Sequence, residues 1–166
     1  IDGYNVCLFA YGQTGSGKTY TVSGGESTES RGIVPRGFHE MFAIKQRLEK
    51  DRHFTVQFQC VMMELYLDKL HDLLAGDEAT GKLEIREDPY TGEVVVPNAK
   101  TKALKTVTDA LDTFNAGMRG RRVAGTDMNE QSSRSHSVLV VPVQQTMAGR
   151  PGDVPRVRHA RLNLVD

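Results

Sequence analysis

The sequence predicts an α/β protein, a central sheet under helical cover. Two observations carry this. Segments of strand period and of helix period alternate along the chain, and the first apolar run passes through a glycine-rich loop straight into a helix start.

The elements follow in order. Asn5 to Gly12 is a continuous apolar run, the pattern of a strand buried on both faces. A helix can start at Lys18 and run to Val22, and Ser23 to Gly32 then breaks it as an exposed loop. In the segment from Gly32 to Asp51, Phe38, Met41, Phe42 and Leu48 share one helical face. Phe54, Val56, Phe58 and Cys60 alternate with Thr55, Gln57 and Gln59, which is a strand period. "DKLHDLL" after it has the look of a short helix, and "KLEIREDPYTGEVVV" of two strand pieces around a turn at Pro89 to Gly92. Leu111, Phe114 and Met118 fall at helical spacing, with Thr106 or Thr108 as the N-cap. "HSVLVVPVQQT" reads as a strand that Pro142 restricts to an edge or a bulge. A loop from Met147 leads to a last strand, "ARLNLVD", ending on Asp166.

The composition, 39% hydrophobic and 25% charged, is that of a soluble globular chain of 166 residues. No apolar stretch approaches the ~20 residues that span a bilayer. Twenty-one basic residues balance 21 acidic ones, so net charge exerts no pull towards acidic partners. Cys7 and Cys60 are too few for a disulfide framework or zinc site and read as buried apolar residues of a reducing, intracellular protein. The five histidines show no metal-ligand spacing. Ile1, followed by Asp2 and Gly3, reads as the start of an excerpt from a longer protein without a signal peptide.

Gly12, Gly17, Lys18 and Thr19 satisfy the pattern G-x-x-x-x-G-K-[ST], with Gly15 inside the loop. Glycines let backbone N–H groups curl around phosphate oxygens, at φ values other residues resist. The helix that follows points its positive end at the same anion. In such a loop the Lys18 ammonium reaches the β- and γ-phosphates, and the Thr19 hydroxyl ligates Mg²⁺. A buried strand before and a helix start after make this a P-loop rather than a flexible turn.

A P-loop needs a carboxylate on the metal side and a group that senses the γ-phosphate. The strand "LNLVD" places Asp166 to hold a magnesium-bound water. "NEQSSRSH", Asn129 to His136, offers Ser132 and Ser133 as a magnesium ligand and a γ-phosphate or water contact, and Arg134 as a charge that locks the site shut.

"IDGYNVCLFAYGQTGSGKTYT", "GIVPR", "ELYLDKLHDLL", "NEQSSRSH" and "LNLVD" occur in an order that resembles the kinesin motor domain, from one end of the chain to the other. The resemblance implies an ATP-driven microtubule motor of the P-loop NTPase class, on a mixed, mostly parallel central sheet with helices on both faces. It implies ATP phosphates on Gly12, Gln13, Thr14, Gly15, Ser16, Gly17, Lys18 and Thr19, and adenine packed on Tyr20. Asn129 to His136 would be switch I, with Asn129, Ser132, Ser133 and Arg134 catalytic. Mg²⁺ would be held by Thr19 and Ser133 and, through water, by Asp166, the first residue of switch II.

In that frame residues 1–166 are expected to be the central part of a single motor domain. The N-terminal strands and everything after the first switch II residue would be missing. Partners would be microtubules, with neither nucleic acid nor membrane insertion, and the location cytoplasm and cytoskeleton. Lys100, Lys102, Lys105 and Arg86 lie where such motors touch acidic tubulin, or else form a solvated edge; Arg150, Arg156, Arg158 and Arg161 read as solvated charge. Glu64, Tyr66, Asp72, Leu73 and Leu74 match a family motif and read as packing and strand-end bonding. The wording is similar to kinesins with C-terminal motors, including the calmodulin-binding type. Cargo, direction and a dimeric full-length state stay open. Two other readings remain: a non-catalytic kinesin-like module that binds microtubules or nucleotide, and another P-loop NTPase.

Overall fold

A computed structural model describes residues 1–25, 27–51, 53–76, 81–124, 135–149 and 153–166. The elements run β1 (Val6–Phe9), α1 (Lys18–Ser23), α2 (Ile33–Leu48), β2 (Phe54–Tyr66), β3 (Lys69–Asp72), β4 (Arg86–Glu87), β5 (Val94–Val95), β6 (Lys102–Leu104), α3 (Val107–Ala124), β7 (Ser135–Met147) and β8 (Arg156–Val165). The central sheet has the order β1-β8-β7-β2-β3, with β6 also on β2, while β4 and β5 form a separate hairpin. The sheet is mixed, as expected. Among the described residues its parallel pairing is β1 with β8, the seam that carries the glycine-rich loop, and its other pairings are antiparallel.

The period-2 pattern of β2 decides where the core lies. Val56, Phe58, Cys60 and Met62 are buried on one face, in register with Leu139 and Val143 of β7. Phe38 and Phe42 of α2 and Ala110 and Phe114 of α3 pack into the same cluster, joined by Val22 of α1. Phe42 meets Phe58 edge-on, with ring centroids 5.1 Å apart at 74°. Helix α3 lies so close to β2 that a Cβ at Gly117 would sit 2.2 Å from Met62 Sδ. The expected helical cover lies, among the described residues, on this face. On the other face, Gln57, Gln59, Val61 and Met63 floor a hollow of about 1020 Å³ that Val94, Val95 and Val96 help to wall.

Helix α3 starts where the sequence placed it. The Thr106 hydroxyl accepts the Asp109 N–H at 3.0 Å, an N-cap bond. At the start of β2 a helical ion pair substitutes for a strand. Lys45 Nζ donates to the Val56 carbonyl, and Glu49 accepts the Val56 N–H at 2.9 Å, with Lys45 and Glu49 themselves 3.2 Å apart.

Four expectations are corrected. "DKLHDLL" opens as β3, not as a helix. Leu67 and Asp68 adopt left-handed φ of 47° and 62°, which turns the chain back so that Lys69 pairs Tyr66. Strand β1 is not buried on both faces: it has β8 as its one sheet neighbour among the described residues, and Phe9 is 63% exposed. Cys7, on that strand, is therefore exposed, whereas Cys60 is fully buried, and burial pushes its thiol up to about 12. Pro142 sits neither at an edge nor in a bulge. It lies mid-strand between β2 and β8, opposite Arg161, and the β2–β7 register is the same before it and after it. Only the pairing across from Gln59 and Cys60 is interrupted, which is what a missing N–H costs.

Two non-glycine residues in the left-handed region give the β2–β3 turn removable strain. Leu67→Asn with Asp68→Gly is expected to raise stability by about 1–2 kcal/mol, because these residues suit a two-residue hairpin turn. Urea unfolding checks it; an unchanged or lower midpoint contradicts the strain assigned to this turn.

Candidate functional site

The glycine-rich loop is held at both ends by the sheet and by α1. Its entry is fixed by the Ala10 N–H donated to the Val165 carbonyl at 2.9 Å, which continues the β1–β8 pairing. Its exit is Gly17, the N-cap of α1, in the left-handed region at φ 86° and ψ 20°. That conformation favours glycine over any residue with a Cβ. Inside the loop the chain folds on itself tightly enough that a Cβ at Gly12 would lie 2.5 Å from Ser16 Oγ. Lys18 Nζ donates to the carbonyls of Gly12 at 2.8 Å and Gln13 at 2.9 Å, so its ammonium stays beside the loop. Tyr20, in the first turn of α1, is 62% exposed.

The final strand meets this loop. Thr19 Oγ1 donates to Asp166 Oδ2 at 2.8 Å, a contact between residues 147 apart in sequence. Asp166 is buried, and its backbone is fixed on β7 by reciprocal bonds with Ser137 at 2.9 and 3.0 Å. The structure thus brings together Gly12, Gln13, Gly17, Lys18, Thr19 and Asp166. Asn129, Ser132, Ser133 and Arg134 lie outside the described residues. Their chain neighbours on the far side, Ser135 and Ser137 of β7, are buried against the same site.

Arg121 is the residue the sequence reading missed. From α3 its guanidinium reaches Asp166 Oδ2 at 2.8 Å through Nη1, and Glu64 Oε1 at 3.6 Å through Nε. It also donates to Ser137 Oγ at 3.3 Å, and to the Ser135 carbonyl and hydroxyl at 3.4 Å each. Glu64 is 1% exposed, and its Oε1 makes no hydrogen bond among the described residues. Arg121 therefore balances two buried carboxylates, one of them the predicted metal-side group. Glu64, read from sequence as packing, is half of that ion pair. Among the described residues no group of histidine, cysteine, aspartate and glutamate side chains is arranged to hold a metal by itself, and no helix is long and apolar enough to cross a membrane.

A hydroxyl and a carboxylate at 2.8 Å, beside a lysine and a glycine loop, form an oxygen donor set of the kind a hard divalent cation takes together with a phosphate. The residues present fit a magnesium–nucleotide phosphate group.

Comparison with known proteins gives the same direction. The family model described as the kinesin motor domain matches residues 1–166. Kinesin-like protein KIN-14C of Oryza sativa subsp. japonica is 43% identical over 87% of this chain, which covers 15% of that protein. Kinesin-like protein KIN-14G of Arabidopsis thaliana is 38% identical over 100% of the chain, which covers 16% of it. A solved structure described as that of a fast kinesin, with implications for ATPase mechanism and interactions with microtubules, superposes with a TM-score of 0.85. It shares 32% identity over 99% of this chain and 44% of the other. The chain therefore spans somewhat under half of the solved relative and about a sixth of the curated ones.

Proposed function

The chain belongs to the kinesin motor domain family, and on that premise we propose that it binds Mg-ATP within a single motor domain and takes part in ATP hydrolysis coupled to microtubule binding and movement. The observation that carries the reading is the convergence of the P-loop hydroxyl of Thr19 with the strand-end carboxylate of Asp166, 2.8 Å apart.

Backbone N–H groups of Gly12 to Thr19 bind the phosphates, and the Lys18 ammonium adds charge on the β/γ side. Tyr20 stacks on the base. Thr19, Ser133 and Asp166 are the residues that would hold Mg²⁺, Asp166 through a water. Bound magnesium supplies electrostatic stabilisation of the phosphate oxygens. By family resemblance Asn129, Ser132 and Ser133 are assigned to the γ-phosphate and the attacking water, and Arg134 is assigned the charge that locks the site. Catalysis then rests on positioning and electrostatics rather than on covalent chemistry of the protein. Arg121 holds Asp166 at the β8 end, so the metal-side carboxylate keeps its place. Lys100, Lys102, Lys105 and Arg86 face acidic tubulin, and the protein works in the cytoplasm on microtubules.

The test is ATP turnover of the full-length protein with and without microtubules. Turnover that needs Mg²⁺ and rises with microtubule concentration is the expected result. Microtubule binding with no turnover would instead support a passive kinesin-like binding module, and turnover indifferent to microtubules another P-loop NTPase.

A further inference from the structure

We propose that Asp72 is a positioning residue for microtubule binding: its carboxylate closes the neck of the lobe 75–100 and fixes where the basic run beginning at Lys100 leaves it. This inference rests on the function proposed above. The chain leaves the sheet after β3 and returns as β6, and the two strands lie end to end on one edge of β2. Asp72 is opposite Met63, and Lys102 is opposite Cys60. Between them the excursion carries the β4–β5 hairpin.

One side chain grips both ends of this excursion. Asp72 Oδ1 accepts the N–H groups of Leu74 at 2.8 Å and Ala75 at 3.0 Å on the outgoing side. Its Oδ2 accepts the N–H of Lys100 at 2.6 Å on the returning side, 28 residues later. Bonds from backbone donors to a carboxylate are short and strong. Aspartate is the shortest side chain with two acceptor oxygens, and this neck uses one for each direction of the chain.

Lys100 opens the run Lys100, Lys102, Lys105, of which Lys102 and Lys105 are exposed. Complementary charge steers encounter and fixes register, and a held backbone keeps that charge in one place on the surface. The far side of the lobe has its own tie, Arg161 Nη1 to the Val94 carbonyl at 2.8 Å, with Nη2 on Glu93. Loosening the neck therefore loosens the Lys100 backbone, where the basic run enters β6, without detaching the hairpin; Lys102 stays paired with Cys60, and the Lys105 N–H stays on Asp109.

The discriminating variant is Asp72→Asn in the full-length protein. The carboxamide keeps one acceptor oxygen, so the outgoing turn and the returning Lys100 N–H can no longer both be served. Two readouts are taken together: hydrogen exchange at the Lys100 amide, and microtubule affinity by co-sedimentation in a fixed nucleotide state. Exchange at Lys100 is expected to speed up by about tenfold and microtubule Kd to rise about three- to tenfold, the loss of roughly one hydrogen bond. The thermal midpoint should stay near that of the parent, which separates positioning from general unfolding. Faster exchange with parental affinity overturns the proposal, and so does unchanged exchange.

If Asp72→Asn does not fold, Lys100→Pro is compared with Lys100→Ala. Both lose the lysine charge, but only proline loses the N–H. Weaker binding by the proline variant supports the proposal, and equal binding overturns it. A parent protein that binds no microtubules in any nucleotide state sinks the underlying function as well, an outcome distinct from a variant that binds like its parent.

Discussion

Lys18→Ala is expected to abolish nucleotide-dependent release from microtubules, with ATP affinity falling by about 100-fold or more. Among the described residues the Lys18 ammonium bonds the carbonyls of Gly12 and Gln13, both within its own loop, so its loss is expected to leave the fold intact. What disappears is a positive charge that meets two phosphates. Charged hydrogen bonds are worth about 1.5–3 kcal/mol each, and two of them account for a change of that size. Fluorescent-nucleotide titration and microtubule co-sedimentation in ATP check the two halves. Normal turnover in this variant would sink the phosphate role of the lysine.

Arg121→Ala is expected to cost about 3–5 kcal/mol of stability, the largest effect of any single substitution considered. The arginine side chain is 13% exposed and stands between Glu64 and Asp166, whose side chains are 2% and 3% exposed. Removing it leaves two buried negative charges without their counter-charge, and breaking a buried ion pair from one side costs several kcal/mol. Arg121→Lys should recover part of the loss, since an ammonium supplies charge but not the planar fork that reaches two carboxylates at once. Chemical denaturation monitored by circular dichroism measures both. A loss under about 1 kcal/mol for the alanine variant would show that the two carboxylates are satisfied elsewhere.

Much of the fold was legible because periodicity and local chemistry agreed. Strand β2, helices α2 and α3 and the Thr106 cap fall where alternation, helical spacing and N-cap preference put them. The glycine positions of the loop were legible as well, since the left-handed Gly17 and the crowded Gly12 both favour a residue without a Cβ. What failed depended on partners distant in sequence. "DKLHDLL" has leucines at helical spacing, and only its pairing to β2 through the Leu67–Asp68 turn makes its start a strand. Pro142 and Cys7 were misread because neither the neighbours of β7 nor the single neighbour of β1 can be seen in their own segments.

Arg121 stands in a stretch of several arginines, and nothing local says which one turns inward. A signal did exist on the partner strand. Val56, Phe58, Cys60, Met62 and Glu64 share one parity of β2, so a carboxylate falls in phase with the core-facing residues. A buried carboxylate in that phase demands a cation from an element packed on the same face, and α3 was the next helix rich in arginine.

The helical pair on the Val56 peptide has a consequence for self-association. Presenting an ammonium to the carbonyl and a carboxylate to the N–H, Lys45 and Glu49 satisfy both groups as a neighbouring strand would. Val56 points those groups to the edge that β6 occupies from Phe58 onward, so β6 stops one pairing step short and no vacancy opens beyond it. A strand from a second molecule approaching there finds the peptide already satisfied, and must break an ion pair before it gains a hydrogen bond. Intermolecular sheet growth is thereby disfavoured at this end of β2, by two side chains one helical turn apart.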